Sequence, residues 1–478
     1  MVSEAARLAP TDEDLSEPRA AFDPEPVLLA LAGLLFLLVP SLLRHWSFLS
    51  SAYDLGIFDQ AVFLISTGQP PVSSFLGFHI LGDHASFVLY PLAACYLIWS
   101  SATTLLTIQA AALALGVLPT WILARKAGHS RAETRLLAGA YLLSPIAFNA
   151  SLFDFHPEAL AVPLLLLAAL AARSRRPLLF AVCTATTLAC KAVLGLTVAA
   201  MGAWLLFRER RRRYGVAALI GGLTWVVITS TWVIPRFSGA PPAALARYSY
   251  LGTSPGGVLL SPLTHPRLLA SRLVSAQTLA YVAKCVLPLG WAVGGGSISP
   301  LIGTIPTFLL NVLADDPHQR SLRYQYGLPL LPFLVLSIIG VRAPRRGWVR
   351  RRALVIWWIV TAFLFQTNLP DLAERLRRAG SSLADVRAAV QMVDGYGPVL
   401  TTAELAPHLT HRTVVEMTDL SRPTPRLDRF DFVLLSLREP GWRSSVAMTL
   451  RLLRDLKSEP SFQCVFRQDG VFLFKRTR

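Results

Sequence analysis

PVLLALAGLLFLLVPSLL, residues 26–43, is a run of eighteen residues without one charge. Wound as an α-helix at 1.5 Å per residue it is about 27 Å long, close to the roughly 30 Å of a bilayer's hydrocarbon core. The residues before it are acidic and proline-rich, whereas a cleavable signal peptide opens with a short basic segment. The run therefore reads as a retained first membrane span behind a disordered acidic tail at 1–25.

Similar blocks recur at roughly 103–123, 134–149, 158–172, 177–190, 192–207, 215–235, 277–296, 299–314, 326–341 and 352–367. The whole chain of 478 residues is 53% hydrophobic and 16% charged, whereas soluble domains keep about a quarter of their residues charged. So few charges cannot cover a water-facing surface, and the bilayer is the solvent for most of the chain. The net charge of +17 is concentrated in short runs between apolar blocks: 125–135, 173–176, 208–213 and 342–352. Short basic loops flanking spans mark the cytoplasmic side, so the charge needs no nucleic acid to explain it. The five cysteines, Cys95, Cys183, Cys190, Cys285 and Cys464, have no C-x-x-C spacing and read as small hydrophobes.

One apolar stretch, 84–99, has two readings. If it crosses the membrane, the basic loop 125–135 falls outside, against the charge rule. If it is re-entrant or interfacial, there are eleven spans, every basic loop is cytoplasmic and the N-terminus is inside. The second reading also gathers the polar regions 45–83, 153–158, 236–276 and 315–326 on the outer face, and it is preferred. The fold class is then an all-α polytopic transmembrane bundle of about 11 spans over 26–368, with its first outer loop at 45–83. A small soluble α/β domain at 369–478 follows and falls outside. It opens with a charged amphipathic stretch, Asp371 to Met392, and continues with strand-like runs at 399–402, 413–417 and 432–437 and a helix-like 446–456. Two closing strands are joined through Asp469-Gly470, a hairpin signal.

The outer regions hold the residues suited to chemistry. YDLGIFDQ at 53–60 carries Asp54 and Asp59, two carboxylates that suit a general base or a divalent metal; capping of a short interfacial helix is the alternative for Asp54. Asp83-His84 offers one oxygen and one nitrogen to a metal, or a capped helix start. His156 and Glu158 flank Pro157 at the outer start of a span, where ionisable groups are uncommon unless they face a polar cavity. Lys191 either snorkels to the interface or meets an anion. His318, Arg320, Arg323 and Tyr324 lie in DDPHQRSLRYQY, where arginines suit a lipid phosphate or anionic-lipid anchoring. The sequence carries no P-loop, G-x-G-x-x-G, G-x-S-x-G or H-E-x-x-H, so nucleotide and peptidase chemistry lack their marks.

YDLGIFDQ, LGDH at 81–84, LFDFHPEALA at 152–161, Cys190-Lys191, YLGTSP at 250–255 and QRSLRYQY at 319–326 together resemble the prokaryotic membrane proteins grouped as the DUF2079 family. The C-terminal domain resembles it more loosely, through PHLTHR at 407–412. That family is similar to the C-type (GT-C) glycosyltransferases, membrane bundles with an acidic first outer loop and often a soluble C-terminal domain. The resemblance implies a polyprenyl-phosphate sugar donor, a cell-envelope acceptor, and a first-loop carboxylate, Asp54 or Asp59, acting as base or as ligand to a divalent metal, Mg or Mn, with no nucleotide cofactor. The sequence departs from the family pattern after Lys191, where Ala192 and Val193 stand in place of acidic residues.

The combined reading is a plasma-membrane glycosyltransferase working on the extracytoplasmic face. Asp54 or Asp59 would act, with Asp83 and His84 at the metal, and His156, Glu158, Lys191, His318, Arg320, Arg323 and Tyr324 would hold substrate. Its membrane partners are lipids, and nucleic acid is not among its partners. The alternatives are a transporter or flippase whose path these groups line, and an inactive scaffold, which the missing acidic pair suggests.

Overall fold

In the computed structural model of the chain, which describes residues 23–252, 255–292, 297–340, 348–378, 382–423 and 425–477, the run at 26–43 lies in one 22-residue helix, Glu25–Trp46. Leu28, Leu31, Leu35 and Val39 stand exposed along one face of it, at the helical spacing expected of a side turned to acyl chains. Most of the acidic tail, part of the basic run 342–352 and two residues of the 250–255 motif lie outside the described residues.

Among the described residues three further helices are long and apolar enough to cross a membrane: Ala102–Lys126, Arg131–Phe153 and Arg212–Ser238. Shorter apolar helices occupy Pro177–Cys190, Leu194–Phe207, Ser299–Leu313 and Gln325–Ile339. Prolines at 300, 306, 329 and 332 explain why the last two begin as 3-10 turns, since each ring removes a backbone donor. Glu158–Arg173 is buried along most of its length, packed by Pro177–Cys190 and by Ala102–Lys126. The stretch 236–276, read above as a polar outer region, contains the helices Pro255–Thr264 and Pro266–Leu273.

The ambiguous stretch 84–99 forms an eight-residue helix, Leu89–Tyr96. At 1.5 Å per residue it is about 12 Å long, far short of roughly 30 Å. The helix alone is too short to cross, and the exposed Leu97, Ile98 and Trp99 follow it.

The bundle has two chemically distinct ends. At one, Asp23 pairs with Arg131, Glu25 with Arg135 and Arg173 with Glu209, and His129 meets the carbonyl of Ile339. The first helix runs from there to the other end, where Arg44 meets Asp154.

Leu194–Phe207 and Arg212–Ile228 pack backbone against backbone. A Cβ added at Gly202 would stand 2.4 Å from the Leu219 nitrogen, and one at Gly222 2.4 Å from the Gly195 carbonyl oxygen. Small residues at such a seam let membrane helices approach closely, which is the main source of their association where no water is expelled.

The soluble part is built on one sheet. The first outer loop carries a small hairpin, β1 (Val72–Ser73) with β2 (Phe78–His79). The C-terminal strands are β3 (Val399–Thr401), β4 (Val415–Met417), β5 (Phe432–Ser436), β6 (Phe462–Gln468) and β7 (Val471–Arg476), in the order β4-β3-β5-β7-β6. β3 is parallel to β4 and β5, and the closing strands are antiparallel. Asp469 and Gly470 both take positive φ, 46° and 81°, as a two-residue hairpin with a primed turn requires. Residues alternate between two cores along the strands. Leu400, Val433 and Leu435 face Leu452, Leu453 and Leu456 of the helix Val446–Ser458. Val399, Leu434 and Leu473 face the first outer loop, packing with Leu55, Phe58, Val62 and Phe75. The loop and the domain therefore share one core.

Gly202→Val and Gly222→Val are expected to force the seam apart and destabilise the bundle by about 1–3 kcal/mol each, read as lower thermal midpoints in detergent. Gly221, with nothing within 4 Å of an added Cβ, is the control: Gly221→Ala leaves the midpoint unchanged or raises it slightly.

Candidate functional site

The chain leaves the first helix, and Ser51 caps a π-turn at Ala52–Gly56 by accepting from the Tyr53 N–H. The capping role considered for Asp54 thus belongs to Ser51, and Asp54 sits inside the turn. Such turns recur at functional sites because they redirect a side chain. The Asp54 Oδ1 lies 3.1 Å from Nε2 of His156. The His156 Nδ1 lies 3.2 Å from the Asp154 carbonyl, and its backbone N–H donates to Gln109 Oε1 at 2.7 Å. Both ring nitrogens face acceptors, and only the doubly protonated imidazole satisfies both. Burial would lower the His156 pKa, but the hydrogen bond and charge of Asp54, with the charge of Glu158, raise it above its ordinary value. Burial would raise Asp54; the hydrogen bond and charge of His156, with Ser51 and Arg44, hold it below the usual carboxylate range. Both shifts favour the charged pair over the neutral one, with Asp54 one-quarter exposed.

Other polar groups collect around it. Lys191 Nζ donates to Glu158 Oε1, while Glu158 Oε2 is buried with no hydrogen-bond partner among the described residues. Asp83 and His84 pair at 3.4 Å on the one-turn helix Leu81–His84. The His84 carbonyl accepts from the Ala192 N–H at 2.8 Å, which brings that turn beside Lys191. Gly82 lets the same turn lie against the backbone at Phe237 and Ser238, since a Cβ there would meet the Ser238 nitrogen at 2.7 Å. Arg44 holds Asp154 at 2.9 Å. From the 315–326 stretch, Tyr324 meets Phe153 edge-on at 4.9 Å and His318 at 5.1 Å, and Phe153 stacks on His156 at 5.7 Å. Arg247 lies over the Tyr326 ring at 5.5 Å and 4.0 Å from Asp316. Asp54, His84, His156, Glu158, Lys191, His318 and Tyr324 are thus brought into one neighbourhood.

Arg320 and Arg323 stand differently. Arg323 is engaged by Asp371 in an exposed ion pair, and Arg320 lies near Tyr250 and Asp315. Ala192 packs with Leu81, Ala85, Val233 and Ile234, and Val193 is exposed, so neither adds to the polar cluster.

Asp59 is committed elsewhere. It is 1% exposed and accepts hydrogen bonds from Tyr96 and Thr410, with His411 Nε2 at 3.3 Å. Thr410 and His411 belong to the C-terminal domain, so Asp59 ties three separate parts of the chain together. Among the described residues no group of three His, Cys, Asp or Glu side chains stands together as a metal site. Asp54, Asp59 and the Asp83–His84 pair have separate partners and do not fit a shared divalent cation.

Sequence reasoning passed over Arg44, Arg247 and Tyr96, and it gave no role to Thr410 and His411 of the PHLTHR stretch. A signal for Arg44 existed: an arginine at the outer end of a span runs against the charge rule and calls for a partner.

Two outcomes follow for Asp59. Asp59→Ala, which leaves the His411 charge facing an empty position, is expected to cost about 3 kcal/mol of stability, read by thermal unfolding. Burial would lower His411, but Asp59 raises it above 6.5; burial would raise Asp59, but His411, Thr410 and Tyr96 lower it below 3.8. The share of stability due to the His411 charge is therefore complete below pH 6.5 and lost as pH rises through the raised value, while that of Asp59 is lost only in acid, below 3.8. The midpoint difference between wild type and His411→Gln should be larger at pH 6 than at pH 9. A difference that does not change with pH counts against the charged pair. Buried His408, held well below its ordinary value by burial, titrates in both proteins and cancels.

Comparison with known proteins places the geometry. No curated protein matches the sequence. Among solved structures, the chain is similar to ArnT from Cupriavidus metallidurans bound to undecaprenyl phosphate, with a TM-score of 0.55 at 13% identity, covering 95% of this chain and 98% of that one. The apo state of the same protein superposes with a TM-score of 0.44 at 14% identity, covering 94% and 97%. The first likeness extends to the fold over nearly the whole chain. Residues 44–473 match the family described as predicted membrane protein (DUF2079), and the chain belongs to that family.

Proposed function

We propose that the protein is a C-type glycosyltransferase of about eleven spans that moves a sugar from a polyprenyl-phosphate donor to an acceptor on the extracytoplasmic face. The observation that carries this reading is the Asp54–His156 pair beside Glu158–Lys191, at the bundle end opposite the basic loops, on a fold shared with a protein that binds undecaprenyl phosphate. Orientation rests on the charge rule: the basic end takes the cytoplasm, which leaves the polar end and the C-terminal domain outside.

In this mechanism Asp54, ionised and partly open, takes the proton of an acceptor hydroxyl as that oxygen bonds to the anomeric carbon. The bond from that carbon to the phosphate oxygen breaks, and the electron pair leaves with the polyprenyl phosphate. His156 orients Asp54 and favours its ionised form. The growing phosphate charge is met by Arg247, which lies 4.0 Å from Asp316, and by Lys191, which Glu158 holds. Positive groups fixed before reaction stabilise such charge without reorganising. Tyr324 and His318 border the same space. No step needs a metal.

The test is transfer of radiolabelled sugar from polyprenyl-phosphate donors by the purified protein in lipid. Asp54→Asn should lower the transfer rate by about 10²–10⁴-fold, with a somewhat lowered thermal midpoint because the His156 charge loses its partner. Arg247→Ala should chiefly weaken use of the donor. Wild-type levels of transfer by Asp54→Asn would reject Asp54 as the base, and no transfer by wild type from any donor would reject the reading.

A further inference from the structure

Tyr53 and Asp54 are adjacent in the chain, with Cα atoms about 3.8 Å apart, yet their side chains leave the π-turn toward different neighbours. Asp54 meets His156. Tyr53 turns to the C-terminal domain, where with Phe75 it forms the outer-loop wall of a cleft of about 340 Å³. The opposite wall carries Glu416, Asp419, Arg422, Arg426 and Arg429. Nothing in the chemistry proposed for Asp54 uses this cleft.

Its lining, with Trp442 and Arg443 packed against the lining residues Tyr53 and Asp419, is specific in kind. The Tyr53 hydroxyl donates to Asp419 at 3.3 Å, and Asp419 is also held by Arg443 at 3.2 Å. Arg443 lies over both the Tyr53 ring and the exposed Trp442 ring, at 5.1 and 4.5 Å. Arg429 pairs with Glu416 at 3.2 Å, and Arg422 donates to the Phe75 carbonyl at 3.0 Å. Flat aromatic faces next to planar guanidinium and carboxylate edges suit a ligand with an apolar ring face and a rim of hydroxyls. Arg426 pairs with Asp428 at 2.5 Å, so with Arg443 and Asp428 counted four guanidinium groups stand against three carboxylates, and the remaining positive excess suits an anionic substituent. The volume lies at the small end of ligand pockets, about one or two sugar rings.

We infer that the cleft between the first outer loop and the C-terminal domain is an acceptor subsite for an anionic saccharide. The inference rests on the transferase reading above, because the cleft borders Tyr53, the chain neighbour of Asp54. A carboxylate and a phosphate substituent present the same chemistry to the arginines.

The test uses the full chain in nanodiscs of neutral lipid and isothermal titration with three disaccharides: a neutral one, its uronate counterpart and its phosphorylated counterpart. At least one anionic disaccharide is expected to bind saturably and at least tenfold more tightly than the neutral one, and the tighter of the two identifies the substituent. The double variant Arg426→Ala, Arg429→Ala should lose that preference at an unchanged thermal midpoint. Asp54→Asn should bind as wild type does, which separates the subsite from the chemistry. No saturable binding, equal binding of the neutral disaccharide, or a preference surviving the double variant would each overturn the subsite. Binding together with a failure of all transfer would leave a saccharide site but overturn its role as acceptor subsite.

Discussion

A carboxylate taken out of water must be repaid by hydrogen bonds and opposite charge, or it unfolds its surroundings. Asp59 meets that demand with partners from separate regions: Tyr96 at the end of the short helix Leu89–Tyr96, and Thr410 and His411 in the C-terminal domain. No one of these regions alone can satisfy it. The carboxylate therefore fixes the first outer loop between membrane bundle and sheet, and the turn at Ala52–Gly56 takes its place from that. Asp54 and Tyr53 point where they do because the helix that begins at Ile57 is pinned by Asp59.

The polar cluster obeys the same rule in a more open form. Its charges come in pairs, Asp54 with His156, Glu158 with Lys191, Asp154 with Arg44, and each pair joins segments far apart in sequence. The exceptions are the informative atoms. Glu158 Oε2 is buried without a hydrogen-bond partner among the described residues, and Arg247 keeps a loose distance to Asp316. A site poised to receive a charged group needs some valence unfilled, and these are where it is left.

Much of this could be read from the chain. The first span followed from eighteen uncharged residues, and the closing hairpin from Asp469-Gly470, whose two positive φ values need residues of that kind. Of the motifs, LGDH, FDFHPE, Cys190-Lys191 and the 315–326 stretch do converge. The division of labour between Asp54 and Asp59 could not be read. Five residues of helix, about 100° each, put the two on different faces, and nothing local says which face meets the sheet. Arg323 reads as a phosphate ligand, yet Asp371, forty-eight positions later, occupies it. Long-range partners leave no local pattern. The helices at Ser299–Leu313 and Gln325–Ile339 read as uniform spans because apolar counts do not register the prolines that tighten their first turns.

The shared core has a consequence for biosynthesis. Phe58, Val62 and Phe75 leave the ribosome more than three hundred residues before Val399, Leu434 and Leu473, their partners in the sheet. During that interval an apolar surface on the outer loop has nothing to cover it, and pairing across so long a separation is slow. The last hundred residues thus complete a core begun near the N-terminus, and a nascent chain must be shielded at that loop until its final strand, β7, is in place.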